Sequence, residues 1–394
     1  MPPSELLDLL VRWVHLIAGI MWIGNSMLFN WLDRNLIKPA GADRPGSDGV
    51  IWMVHSGAFY EVEKKLLAPN QLPGQLHWFK WQNGVTWMSG ISLLVLVYYM
   101  NEGAFLTDPA VSTMGRWQAT GLCAGALVGG WVVYDLLWRA LGTRVPLLAS
   151  ALSFGFLFGI AYVFSHTISG RAAYIHVGVL MGTLMTGNVW MIIIPSQREL
   201  VAATREGREQ DRALSLRAKQ RSIHNNYLTF PLLFIMISAH FPNTWGSEQR
   251  WAVLIVLLVG GALTRHLMNV RFWFRPWFKL IVPTVALTIV GVFLLTARRR
   301  VAGAEGAKVT FSSVRDIVTR RCQSCHSVTP TEKMFPAAPA GVMFDTPEQI
   351  RAMSARIRER TVVLKTMPFL NRTEMTDEER QVVGRWIDQG ATTQ

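Results

Sequence analysis

Cys322-Gln323-Ser324-Cys325-His326 sets two thiols three positions apart, with a histidine directly after the second. C-x-x-C-H is the signature of covalent c-type haem attachment, in which the sulfurs add to the porphyrin and the imidazole becomes an axial iron ligand. A structural zinc site would want a second ligand pair, which the tail does not offer. Met367, in the loop Leu364-Lys365-Thr366-Met367-Pro368, is the expected sixth iron ligand, with Met375 next in line. Cys123 lies in the apolar run GLCAGALVGG and reads as an inert buried thiol.

Two further sets of residues lie within or beside apolar runs. His15, His166, His176 and His240 fall toward one end of four different apolar stretches. Ionisable groups at membrane depth are costly and point to function, although a lone histidine near a helix end is more often an interfacial, hydrogen-bonded residue. Four on one tier predict axial ligands for a non-covalent haem b. Beside His176, Gly178 and Gly182 form a G-x-x-x-G face that suits either a neighbouring helix or a porphyrin. Toward the other end stand Gln197 and Arg198, then His224, Asn225 and Asn226, then Arg265, His266 and Asn269. Amides and guanidinium groups suit a planar anionic ring rich in hydrogen-bonding atoms, such as an oxopurine. The plainer reading of each is helix capping and headgroup contact. His224 and His266 are the expected bases, because imidazole titrates near neutral pH. Asp135 and Arg139, at i and i+4, read as a local ion pair.

The elements that must position these groups are membrane helices. Half of the 394 residues are hydrophobic and only 16% are charged, with 16 Trp and 32 Gly, and the mean hydropathy is +0.24. A hydrocarbon core of about 30 Å needs about 20 apolar residues. Eight stretches qualify: 9–31, 84–100, 117–138, 147–166, 173–195, 223–241, 251–264 (running on to 270) and 277–297. The N-terminus MPPSELLDLLVRWVH lacks a basic leader and a cleavage site, and reads as an uncleaved first helix. The net charge of +13 is not a nucleic-acid footprint, because residues 301–394 are nearly balanced, 13 Lys/Arg against 11 Asp/Glu. The excess sits in loops. Those after odd-numbered spans hold 18 Lys/Arg and the others three, which places the odd loops in the cytoplasm and both termini outside it, the side that in a bacterial inner membrane is the periplasm. Haem attachment to C-x-x-C-H outside the cytoplasm demands the same orientation. The Arg298-Arg299-Arg300 triplet breaks the pattern, and reads as a headgroup contact after the last span.

After residue 300 the chain changes character. Residues 301–310 read as a linker, and residues 311–394 as a small α-helical unit resembling a class I cytochrome c. FSSVRDIVTRR predicts one helix opening at Ser312 or Ser313. TDEERQVVGRWIDQGA predicts another, with Thr376 as N-cap, Glu379 completing a capping box and Gly390 as the stop. Residues 1–300 form the transmembrane domain, whose loop 32–83 contains VHSGAFYEVEKKLL, spaced as a helix, and the interfacial aromatic segment QLHWFKWQNG.

RWVHLIAGIMWIGNSMLFNWLD, RAAYIHVGVLMGTLMTGNVWMIIIPSQR and RSIHNNYLTFPLLFIMISAHFP, together with CQSCH and TMPFLNRTEMTDEER, resemble the bacterial membrane-bound, cytochrome c-linked urate oxidases along essentially the whole chain. The resemblance implies an all-α polytopic bundle with a fused cytochrome c unit, which oxidises urate by two electrons to 5-hydroxyisourate with oxygen from water. It implies delivery of the electrons to a haem c on Cys322 and Cys325, with His326 and Met367 on the iron, then to a soluble cytochrome c or terminal oxidase. Storage of the second electron favours the internal haem b. From spacing alone, a quinol-linked electron-transfer module without a purine site fits equally, and would be reduced by quinol but not by urate. A transporter with a redox sensor is a third reading, marked by flux without product.

Overall fold

Helix α5 (Gly170–Gly187) is the axis of the bundle, and its residue types show why. Ala172, Ala173, His176, Val177, Leu180 and Met181 are all fully buried, and small side chains let neighbouring helices close in. A Cβ on Gly178 would lie 2.5 Å from Ile235 Cγ2, whereas one on Gly182 would meet nothing within 4 Å. Of the two uses expected for the G-x-x-x-G face, Gly178 therefore serves helix packing. Around α5 stand α2 (Trp81–Leu94), α3 (Arg116–Leu141), α4 (Pro146–Thr167) and α7 (Arg212–Ile237). Helix α1 (Pro3–Asn35) packs on α2, and α9 (Arg250–Val270), preceded by the one-turn α8 (Pro242–Trp245), lies between α7 and the outermost helix, α10 (Trp277–Thr296). The last buries none of its residues and exposes Phe278, Val282, Leu287, Ile289, Phe293 and Leu294. Such a surface suits hydrocarbon, since a helix satisfies its own backbone there.

This computed structural model describes residues 3–38, 46–100, 105–297, 308–335 and 337–393. Arg44, the Arg298–Arg300 triplet and residues 301–307 of the expected linker lie outside the described residues. Among the described residues six helices are long and apolar enough to cross a membrane: Glu5–Asn35, Arg116–Leu141, Pro146–Thr167, Gly170–Glu206, Arg250–Val270 and Trp277–Thr296. The chain is thus mostly helical and consistent with a membrane protein. The remaining two expected spans fall on α2 and α7. Helix α2 passes into a π-helical turn, Val95–Tyr99, and α7 opens with the polar RALSLRAKQR.

Residues 47–65 are not helical, contrary to the helix spacing read in VHSGAFYEVEKKLL. Strands β1 (Ser47–His55) and β2 (Ala58–Lys65) pair antiparallel, with Val54 opposite Phe59 and Trp52 opposite Glu61. Ser56 and Gly57 both have positive φ, 51° and 76°, the backbone of the two-residue hairpin turn whose twist matches its strands. Local turn chemistry overrode the apolar spacing.

The C-terminal unit comprises α11 (Phe311–Arg321), α12 (Pro347–Ala352), α13 (Ser354–Ile357) and α14 (Asp377–Asp388). Helix α11 begins at Phe311, ahead of the expected Ser312 or Ser313, with Thr310 rather than a serine as its N-cap. The capping box of α14 forms as expected, Thr376 Oγ1 accepting from the Glu379 amide and Glu379 Oε2 from the Thr376 amide. Phe311, Val314, Val318, Ile350, Val383 and Trp386 make its core. The unit rests on the bundle through the loop before α14: Phe369 lies 4.7 Å from Phe105, ring to ring, and Thr366 and Leu364 crowd Gly246.

Candidate functional site

Midway along the chain a single helix runs from Gly170 to Glu206 through a π-helical turn, Asn188–Ile193. The wider turn begins at Asn188, a fully buried amide among apolar neighbours, and such turns are frequent at functional sites. The hydrogen bonds around it can be followed atom by atom. Asn225 of α7 donates from Nδ2 to the Met185 carbonyl, 3.0 Å away. That fixed acceptor leaves Asn225 Oδ1 facing Asn188, so Asn188 must present its Nδ2, at 2.9 Å. The same Nδ2 donates to the Tyr134 hydroxyl at 3.0 Å. The Tyr134 hydroxyl in turn hydrogen-bonds His224 Nδ1, 2.6 Å away, and is the donor when the imidazole carries its hydrogen on Nε2. Trp138 packs on the same ring, 3.9 Å between centroids.

The chain of bonds leaves two polar atoms over. Among the described residues Asn188 Oδ1 is buried and has no partner, and neither has Arg221 Nη1. Arg221 is 3% exposed; its guanidinium lies 4.6 Å over the Tyr134 ring, and Nη2 donates to Asp135 Oδ1 at 2.7 Å. Asp135 also takes Arg139 Nε at 2.6 Å, so the expected local pair is half of a clamp that holds Arg221 in place. Buried polar groups in folded proteins are nearly always paired, so two orphans of opposite character, both on residues that touch Tyr134, call for a partner. The site thus offers an acceptor, a cationic donor and a tyrosine–histidine proton pair.

The residues singled out in the sequence are divided between several places. His224 and Asn225 join this network. Asn226, one residue on, points to the other flank of α7, where its Oδ1 accepts from Arg265 Nε at 3.0 Å and from Asn269 Nδ2 at 2.6 Å. A helix turns about 100° per residue, which parts the two asparagines. His266 is exposed and pairs with the Tyr227 hydroxyl at 2.7 Å. Gln197 and Arg198 are exposed on α6 (Ile194–Glu206). Tyr134, Asn188, Arg221 and Asp135 were not singled out as site residues. A lone asparagine in the apolar run TGNVW was the one local signal.

The haem expectations do not stand. Among the described residues no group of three or more His, Cys, Asp or Glu side chains is placed to hold a metal ion. His176 has both ring nitrogens engaged, Nε2 with the Tyr99 hydroxyl at 3.0 Å and Nδ1 with the Ala172 carbonyl at 2.7 Å. His15 Nδ1 is held by the Thr86 carbonyl at 2.9 Å. His166 turns outward and bonds the Tyr162 carbonyl of its own helix, and His240 is exposed in a short turn. A shared tier along the sequence did not become a shared centre for haem b. In the tail, His326 Nδ1 faces the Val342 carbonyl at 2.9 Å. Burial pushes the Cys322 thiol up to about 12 and raises Cys325 as well. The haem c expected on Cys322, Cys325, His326 and Met367 is likewise corrected: motif spacing alone does not assemble a donor set.

Fold and site define a mostly helical chain, consistent with a membrane protein, with a buried, proton-bearing polar site between α3, α5 and α7. The urate oxidase N-terminal family matches residues 3–296, nearly the whole bundle, and the chain belongs to that family. It is an oxidoreductase acting on urate. The match ends before Cys322 and carries nothing about haem. Neither a curated protein nor a solved structure matched the chain.

Proposed function

We propose that the protein oxidises urate to 5-hydroxyisourate at the Tyr134–His224–Asn188 network, with water as the oxygen source and an external electron acceptor in place of dioxygen. Urate and water give 5-hydroxyisourate, two protons and two electrons. The observation that carries this reading is the pair of buried, unpartnered atoms of opposite character, Asn188 Oδ1 and Arg221 Nη1. A urate anion has ring N–H groups for the first and carbonyl oxygens sharing negative charge for the second. Unpaired groups of this kind also reject analogues lacking the matching atoms. Protons leave by the tyrosine–histidine pair: as one reaches the Tyr134 oxygen, Tyr134 passes its own to His224 Nδ1 along the 2.6 Å bond. Asp135 keeps the Arg221 charge in place, and Asn225 keeps Asn188 turned.

The remaining parts of the reading concern placement. Residues 1–300 form the oxidising domain, crossing the membrane eight times with both termini outside, in keeping with the basic loops. Residues 301–310 link it to an external unit, 311–394. The acceptor is a soluble cytochrome c or a terminal oxidase of the respiratory chain.

Membranes bearing the full chain, given urate and cytochrome c in oxygen-18-labelled water, should reduce two cytochrome c molecules per urate and place the label in the product. Peroxide formation without cytochrome c reduction, or reduction supported by quinol and not by urate, overturns the proposal.

A further inference from the structure

On the far flank of α7 the Asn226–Arg265–Asn269 cluster has its own unpaired atom. Arginine can only donate, so Asn226 must offer Oδ1 to Arg265 Nε, and Asn269 must then offer Nδ2 to the same oxygen. Asn269 Oδ1 is left buried with no partner, in a residue 6% exposed. Among the described residues its charged neighbours include two further arginines. The Arg34 guanidinium stands 4.7 Å from the Trp273 ring and 5.8 Å from Phe272, and Arg271 stands 4.7 Å from Phe272 on its own account. Both lie close enough to Arg265, itself 5% exposed, for their charges to interact. Asp33, next to Arg34, is taken by Lys64 at 2.8 Å.

We infer that Arg34, Arg265, Arg271 and Asn269 form a binding site for an anionic oxygen that lies beside an N–H donor, at the end of the bundle where α1 and α9 finish. A buried guanidinium without a carboxylate needs a counter-ion, and its planar fork suits phosphate or carbonyl oxygens. The aromatic rings cover guanidinium faces and leave the N–H edges to the ligand. The buried Asn269 carbonyl requires a donor hydrogen. Two sources carry both features. One is the headgroup of an aminophospholipid, with phosphate and ammonium. The other is a free oxopurine anion on its way to the inner site, an arm that rests on the proposed function. Basic residues near a bilayer attract phosphate in general; the buried acceptor is what selects among headgroups, because choline has no N–H.

The test is native mass spectrometry of the full chain in detergent, titrated with phosphatidylethanolamine or phosphatidylcholine of matched chains. If the ligand is lipid, the ethanolamine form is retained about tenfold better, the worth of one buried hydrogen bond. Asn269→Leu removes the preference, and the half-buried pair Arg34→Gln/Arg271→Gln loses both lipids. If the ligand is the free anion, neither lipid is preferred and the double variant raises KM for urate about tenfold with kcat unchanged, one charge-assisted bond lost from binding alone. Absence of headgroup preference together with an unmoved KM overturns the site. A wild-type chain that does not oxidise urate overturns the proposed function and leaves the lipid arm readable.

Discussion

If Tyr134 and His224 act as one proton pair, removing both should cost little more than removing either. Tyr134→Phe deletes the hydroxyl that bonds His224 Nδ1 at 2.6 Å and accepts from Asn188 Nδ2 at 3.0 Å. Asn188 keeps its bond to Asn225 Oδ1, so one imidazole nitrogen loses its only protein partner here. The stability cost is about 1 kcal/mol, the usual worth of a side-chain hydrogen bond inside a helix bundle. The kinetic cost is larger, because a positioned acid–base group contributes about 10²- to 10⁴-fold, or roughly 3–5 kcal/mol of barrier. His224→Gln should lose a similar factor. In the double variant the losses should not multiply, since the second change removes a partner already idle. The assay is urate-dependent reduction of cytochrome c by the full chain in membranes, with thermal unfolding in parallel. Multiplicative losses would show that the two side chains act separately. Near-normal turnover in either single variant would remove the pair from the reaction.

Three other outcomes follow from packing and charge. Asp135→Asn should strand the buried Arg221 cation, whose side chain is 4% exposed, and cost about 3 kcal/mol; an unchanged melting temperature in detergent would refute the clamp. Gly260→Val would place a Cβ 2.3 Å from Thr288 Oγ1, whereas Gly182→Ala meets open space, so thermal unfolding should show a loss of about 1–3 kcal/mol in the first and little change in the second. In the C-terminal unit, burial alone would raise the Glu379 carboxyl, but Arg321, the Thr376 amide and Arg320 outweigh it and hold it below its ordinary 4.5. A depressed folded value means stability present above the unfolded value and lost as pH falls through the folded one. Hydrogen exchange along α14 of the full chain should follow an acid transition that Glu379→Gln shifts or flattens; an identical profile would refute the assignment.

What could be read along the chain is whatever depends on neighbours in sequence. Apolar runs of membrane length, the bias of basic loops, the Thr376 capping box and the family strings are all local, and they led to helices, a membrane and urate. Interactions across the chain followed other rules. The histidine tier read as a haem centre dispersed, because His176 found Tyr99 and a backbone carbonyl, and His166 turned outward. VHSGAFYEVEKKLL became strand because Ser56 and Gly57 could take positive φ together. Asn225 and Asn226 parted because a helix sends successive residues to different neighbours, one to Asn188 and one to Arg265. Asn188, Tyr134 and Arg221 could not be chosen from sequence, since each acquires its role only from atoms 37 to 90 positions away. The residue types set what chemistry was possible; the packing of α3, α5 and α7 decided where the unpaired donor and acceptor were left.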